Sequence, residues 1–161
     1  MIVFTYQFSE IINNAQLLSS LRANAVIPGK EEILDAQLTI DDEPLMKKFL
    51  KMGSAEIIGK LSGYTDNLYD VDGVTLLEPI EFADTTITMR VNVPVTFRKT
   101  VVLSLDKAIE EALENYGVYR INEFKGHSFE IFQINYEKAI SKILTYISAR
   151  TQTITRSYKL L

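Results

Sequence analysis

Hydrophobic positions in this chain recur with two different periods, and the places where the period changes predict its elements. Met1 to Phe8 is rich in β-branched and aromatic residues and reads as a short strand or ordered arm. Ser9 can cap a following helix in which Ile12, Ala15, Leu18 and Ala23 recur at helical spacing, up to Pro28-Gly29. Glu31 to Ile40 fits either a helical turn or a strand, with Leu38 and Ile40 favouring the strand. A clearer helix follows. Asp41 or Asp42 can act as its N-cap, Glu43-Pro44 suits its first turn, and Met46, Leu50, Gly53, Ile57 and Leu61 form one stripe ending near Ser62. Lys47, Lys48, Lys51 and Lys60 occupy its other side, which reads as a solvated face.

Gly63 to Gly73 reads as a loop, and Val74–Ile80 with Thr85–Val93 as the two strands of a hairpin. In the second strand Ile87, Met89, Val91 and Val93 alternate with Thr86, Thr88, Arg90 and Asn92, so one face is buried and the other wet; Pro94 stops the ladder. From about Thr96 the period becomes helical again. Val102, Leu105, Ile109, Ala112, Leu113 and Tyr116 face inward to near Ile121, with Asp106, Glu110, Glu111 and Glu114 outside. Lys125-Gly126-His127 is a turn. Phe129 to Ala149 is the most regular helix, its stripe made of Phe132, Tyr136, Ala139, Ile140, Ile143 and Ile147, with Ser128 placed to cap it.

The last eleven residues return to period two. Gln152, Ile154, Arg156, Tyr158 and Leu160 share one side, and Thr151, Thr153, Thr155, Ser157 and Lys159 the other, the pattern of an extended strand. The expected fold class is α+β, predominantly helical: a bundle of three to four helices with a β-hairpin and an extended C-terminal strand. Residues 1–150 form one globular domain and residues 151–161 a docking arm. At 161 residues and 18.3 kDa the chain suits one core, and no repeat or Gly/Ser/Pro-rich linker supports a second domain.

Composition narrows the chemistry. Without cysteine there is no disulfide framework, thiolate metal site or thiol nucleophile, and His127 alone cannot build a multi-histidine metal site. No apolar run approaches the roughly 18 to 20 residues that cross a bilayer and the start lacks the basic residues of a secretory signal, so a soluble intracellular product with no membrane partner is expected. The net charge of −4 argues against a dedicated nucleic-acid surface. That charge is unevenly spread. Five of the 17 basic residues and none of the 21 acidic ones lie from Lys138 onward, leaving 12 against 21 in residues 1–137. Leu61 to Met89 holds Asp66, Asp70, Asp72, Glu78, Glu81 and Asp84 with no Lys or Arg.

Motifs for catalysis are lacking. Asp70-Val71-Asp72-Gly73 has the look of a calcium loop, but counting Gly73 as the sixth position puts Leu68 and Pro79 where carboxylates belong, so it reads as an acidic turn. His127 adjoins Ser128, Glu123 and Glu130, yet nucleophile and oxyanion donors are not evident. Neither a phosphate-binding G-x-x-x-x-G-K-[ST] loop nor G-x-G-x-x-G occurs. The expectation is therefore no enzyme, no cofactor and no metal. Most of the eight Tyr and eight Phe fall on helix stripes; Tyr64 and Tyr69 in the acidic loop and Tyr158 in the basic tail do not, and such residues often anchor protein contacts.

The helix after Asp41-Asp42-Glu43-Pro44, the hairpin through Ile87-Thr88-Met89-Arg90-Val91-Asn92-Val93-Pro94, two further helices and a polar C-terminal strand resemble, over Ala36 to Leu161, the head–tail connector (adaptor) proteins of tailed bacteriophages. The resemblance is closest to those of phages and prophages of gut Bacteroidetes. It implies a helical bundle repeated in a ring, twelvefold for a connector, beneath the portal protein, in the virion neck after assembly in the host cytoplasm. A C-terminal arm would reach onto the neighbouring ring, and DNA would pass without sequence-specific binding. Glu110, Glu111 and Glu114, or the loop of Asp66, Asp70 and Asp72, are the candidates for an acidic channel wall, since Lys and Arg would hold the phosphates. A ring needs two unlike complementary surfaces per subunit, and the expected pair is Tyr64, Asp66, Tyr69, Asp70 and Asp72 against Ile154, Arg156, Tyr158, Lys159 and Leu160. Other readings are a different neck or tail-completion protein, such as a tail terminator, or a small α+β module binding a ligand between hairpin and final helix.

Overall fold

The computed structural model describes residues 1–25, 38–70 and 72–149. Side chains alternate along β1 (Ile2–Gln7), with Phe4 and Tyr6 inward and Val3, Thr5 and Gln7 outward, as a half-buried strand requires. The chain runs from β1 straight into α1 (Phe8–Ala25). Ser9 therefore lies within the first turn and is not its cap; the Phe8 amide donates instead to the Thr85 carbonyl at 2.9 Å, tying the helix start to the sheet. Ile11, Ile12 and Ala15 are buried as a stripe, while Leu17 and Leu21 are exposed.

Pro28-Gly29 and residues 31–37 lie outside the described residues. Leu38 is buried, and Ile40–Asp42 forms one turn of 3-10 helix, so Leu38 and Ile40 are not in the strand expected of them. The Asp42 carboxylate decides this local geometry. It accepts from the Thr39 amide at 2.8 Å and the Thr39 hydroxyl at 3.1 Å, a capping box that closes the short turn. Asp42 thus occupies the position before α2 (Glu43–Lys60) but spends its side chain on the preceding turn and on Lys125, 2.8 Å away. The α2 stripe of Met46, Leu50, Gly53 and Ile57 is buried, with Leu61 just past the helix end.

Of the expected Val74–Ile80 strand only Ile80 lies in a strand, β2 (Ile80–Phe82). Residues 74–76 are drawn away from it because the chain folds back on itself at Asp72-Gly73: the Asp70 amide donates to the Thr75 carbonyl and the Gly73 amide to the Asp70 carbonyl, both at 2.9 Å. Gly73, at φ +69°, takes the left-handed conformation that this reversal requires. β3 (Thr86–Val91) keeps the expected alternation, with Ile87, Met89 and Val91 buried. It is the central strand of an antiparallel sheet ordered β1-β3-β2, in which Ile2 to Gln7 face Val91 to Thr86 and Ile80 faces Met89.

A 3-10 turn at Lys99–Val101 precedes α3 (Val102–Lys125), which begins later and runs further than its periodicity suggested. Gly126 at φ +74° ends it in a left-handed cap, with the His127 amide donating back to the Asn122 carbonyl at 2.8 Å. α4 (Glu130–Ile147) follows. Ser128 does not cap it; its hydroxyl donates to the Glu130 carboxylate at 2.8 Å, and that same carboxylate takes the Phe129 amide at 3.1 Å. Among the described residues the architecture is α+β and predominantly helical, four helices against one small sheet.

α3 is the element around which the others assemble, touching α1, α2 and α4. Leu105, Ile109, Ala112, Leu113, Val118 and Ile121 are fully buried in it, in one cluster with Phe132, Tyr136, Ala139, Ile143 and Ile147 of α4. Val102 and Ile140 are only half-buried at its margin. Two glycines set the approach of α2 to α3. A Cβ on Gly53 would stand 2.7 Å from the Tyr116 ring, and one on Gly117 would overlap the thioether of Met46.

Gly53→Ala is expected to destabilise by about 1 to 3 kcal/mol through overpacking, against the roughly 1 kcal/mol that alanine otherwise adds to a helix. Gly59→Ala, with nothing within 4 Å of the added carbon, is the control and should be neutral or stabilising. Urea unfolding checks both, and equal effects would dismiss the close contact. Ile143→Ala should cost about 2 to 5 kcal/mol in the same assay.

Candidate interaction surface

The acidic loop is a built projection, not slack chain. Leu68, 1% exposed, pins its base in the core, and the Leu77 amide donates to the Leu68 carbonyl at 2.7 Å to close it. Tyr69 and Leu76 form an isolated antiparallel bridge above that base. Asp72 holds the tip: its carboxylate accepts from the Val74 and Thr75 amides at 2.9 and 3.0 Å and from the Thr75 hydroxyl at 2.7 Å. These bonds, the Thr75 and Val74 amides first, keep the Asp72 carboxyl below the usual carboxylate range.

Two of the residues read as contact anchors are also engaged within the fold. Asp72 is spent on its own turn, and Tyr64 is half-buried against the core while its carbonyl accepts the Asn92 amide at 2.6 Å. Tyr69, Asp66 and Asp70 are exposed, as a contact surface needs. The structure adds Val74 and Leu76, 80% and 69% exposed, which strand alternation had assigned to the hairpin. Tyr69, Val74 and Leu76 therefore put apolar surface on an acidic projection. Glu81 takes no part in it, because Arg90 pairs with it at 2.6 Å across the sheet. Ile154, Arg156, Tyr158, Lys159 and Leu160 lie outside the described residues.

The acids of α3 are less solvated than the helical wheel implied. Asp106 accepts the Tyr6 hydroxyl at 2.8 Å, and burial, reinforced by this carboxylate, pushes the Tyr6 phenol up. Glu111 pairs with Lys142 of α4 at 2.7 Å, so one of the C-terminal cations is used within the subunit. Glu114 is half-buried; burial raises its pKa, Glu110 and Glu111 add to that, and the Asn14 side chain opposes it. Glu111 and Glu114 are thus engaged in the body of the subunit. On α2, Lys47 pairs with Glu43 at 2.8 Å and Lys51 lies over the Phe8 and Phe82 rings at 5.9 and 5.4 Å.

One polar and aromatic cluster escaped the sequence reading because its members come from three helices. The Arg120 guanidinium stacks on Tyr119, Phe49 and Tyr116 at 5.4, 5.8 and 6.0 Å and pairs with Glu123 at 2.6 Å. Tyr116 meets Tyr119 and Tyr136 edge to face at 5.4 and 5.1 Å. Burial and the nearby Glu56 carboxylate push the Tyr136 phenol up, although the hydroxyl makes no hydrogen bond of good geometry. The cluster is packing with a charged lid. His127 is half-buried beside it in sequence, but Glu123 is committed to Arg120 and Glu130 to Ser128, so neither orients its ring.

No group of three or more His, Asp or Glu among the described residues could hold a metal ion, and none of the described helices is long and apolar enough to cross a membrane. No family model, curated protein or solved structure matches this chain.

The raised pKa of Glu114 gives a pH test. A carboxyl whose folded pKa lies above its unfolded value binds protons more tightly when folded, so its penalty is complete above the folded pKa and absent below the ordinary glutamate range. Glu114→Gln should therefore stabilise the protein at neutral pH, and the gain should vanish as the pH falls below about 4. Denaturant titrations at several pH values check this; a gain independent of pH would refute it.

Proposed function

We propose that this protein is a structural component of a tailed-phage virion, a head–tail connector whose copies form a ring, twelvefold in the position beneath the portal, and contact portal and tail or neck proteins. It does no catalysis in this role and needs no cofactor. The observation that carries the reading is the projection at residues 68–77, where Tyr69, Val74 and Leu76 stand exposed in an acidic setting on one subunit whose charged side chains from Lys138 onward are all basic. Unlike surfaces on a single subunit are what a head-to-tail contact needs, and opposite charge sets which surface meets which. The order of the elements, by its resemblance to connectors, supports the same role. In such a ring the exposed Asp66 and Asp70 suit a wall past which DNA slides.

The test is assembly. Native mass spectrometry and electron microscopy of the purified full chain should show closed multi-subunit rings, and the protein should be found at the neck of purified particles. Tyr69→Ser with Leu76→Ser should shift the population toward monomer while changing stability by no more than about 0.5 kcal/mol, since both side chains are exposed. His127→Ala should leave the rings intact. A wild-type chain that stays monomeric at high concentration and is absent from particles would overturn the proposal.

A further inference from the structure

The sheet has two edges, and they are treated differently. β2 is only three residues long, follows Pro79 and carries Glu81, features that blunt an edge against pairing. β1 is six residues long, Ile-Val-Phe-Thr-Tyr-Gln, without charge, proline, glycine or bulge. Every second residue of such a strand turns its N–H and C=O outward, and no described residue hydrogen-bonds that outer side of β1. Val3, 48% exposed, and Thr5 stand beside it on the outward face. At its Gln7 end the Asp106 carboxylate holds the Tyr6 hydroxyl, and Glu110 follows one turn along α3. The edge is open and unprotected, with acid on its inward side where Asp106 meets Tyr6.

We infer that β1 is the acceptor edge for residues 152–160 of a neighbouring copy, which add to it as a fourth strand. This rests on the ring reading and moves the basic tail from the acidic projection to the β1 edge, leaving the projection as a second, separate contact of the ring. Three features select that occupant. Its period of two matches a strand, its nine residues are enough to cover the six of β1, and Arg156 and Lys159 occur with no acid from Lys138 onward. With Ile154 and Tyr158 turned to the side of Phe4 and Tyr6, Arg156 falls on the side of Asp106 and Glu110. The donor chain leaves the described fold at Ala149, whose carbonyl accepts the Arg98 amide at 3.2 Å, eleven residues short of Leu160. Passing each tail to the next subunit is a heterologous contact, which closes into a ring where the rotation between subunits permits and covers the β1 edge of every copy.

The chain lacks cysteine, so introduced thiols report unambiguously. Full-length Thr5→Cys is mixed with full-length Thr153→Cys, Thr155→Cys or Ser157→Cys and treated with a short bis-maleimide. The inference expects cross-links between chains in these mixtures, and amide exchange in β1 about tenfold slower in the assembled protein than in a chain lacking 151–161. Cross-linking only within one chain, in the double variants, would show the tail on its own edge and overturn the inference. Thr5–Thr5 cross-linking would show β1 pairing with a second β1 and overturn it as well. Rings that persist without residues 151–161, with β1 exchange unchanged, would overturn this contact and leave the ring reading standing; a monomer under all conditions would remove both.

Discussion

The contact between α2 and α3 is the constraint on which the rest of the structure depends. It is reciprocal: Gly53 of α2 makes room for the Tyr116 ring of α3, and Gly117 of α3 makes room for Met46 of α2. Each glycine gives up helix propensity, and each is repaid by a large side chain seated where a Cβ would otherwise stand. Because Tyr116 and Gly117 are adjacent, the two seats fix both the height and the rotation of α3. α4 then covers α3 with Phe132, Tyr136, Ala139, Ile143 and Ile147, and the sheet and α1 close the remaining sides.

Polar ties then join α3 to three separate elements. Asp106 reaches β1 through the Tyr6 hydroxyl, Glu111 reaches α4 through Lys142, and Lys125 reaches the turn before α2 through Asp42. Burial alone would raise the Asp42 carboxyl; Lys125 and the Thr39 amide and hydroxyl outweigh it and hold the group below its usual range. Partly exposed pairs of this kind add little to stability, and their effect here is on register. Ties at the beginning, middle and end of α3 reinforce the register that the two glycine seats set.

Against this fixed body, the surfaces proposed for assembly are of two kinds. The projection at residues 68–77 is held by its own backbone bonds and by Leu68, so it offers Tyr69, Val74 and Leu76 in a defined arrangement. A preformed surface loses less entropy on binding than a loose loop would. The β1 edge offers backbone groups instead, which give affinity without demanding a particular side chain. Together they would let one subunit meet different neighbours by different chemistry.

Periodicity alone determined most of the elements. The stripes Met46-Leu50-Gly53-Ile57 and Phe132-Tyr136-Ala139-Ile143 and the alternation Ile87-Met89-Val91 are local records of burial, and burial is what a period of 3.6 or 2 encodes. The charge partition between Leu61–Met89 and the C-terminal residues was likewise legible without coordinates. Tertiary structure decided what depends on residues distant in sequence. Ser9 looked like a cap because the local pattern permits it, but the distant Thr85 carbonyl ties the start of α1; at α4 the choice was local, between Ser128 and the neighbouring Glu130 carboxylate. Val74 and Leu76 alternate like a strand, yet the reversal at Asp72-Gly73 pairs that segment with Tyr69 and Asp70 and leaves its apolar side chains in solvent. Tyr64, expected on the acidic loop, is half-buried because its ring packs against the core. The open edge of β1 was invisible for the same reason: a strand reveals its two faces in its own sequence, but which of its edges is paired depends on where another strand, here β3 some 80 residues away, comes to lie.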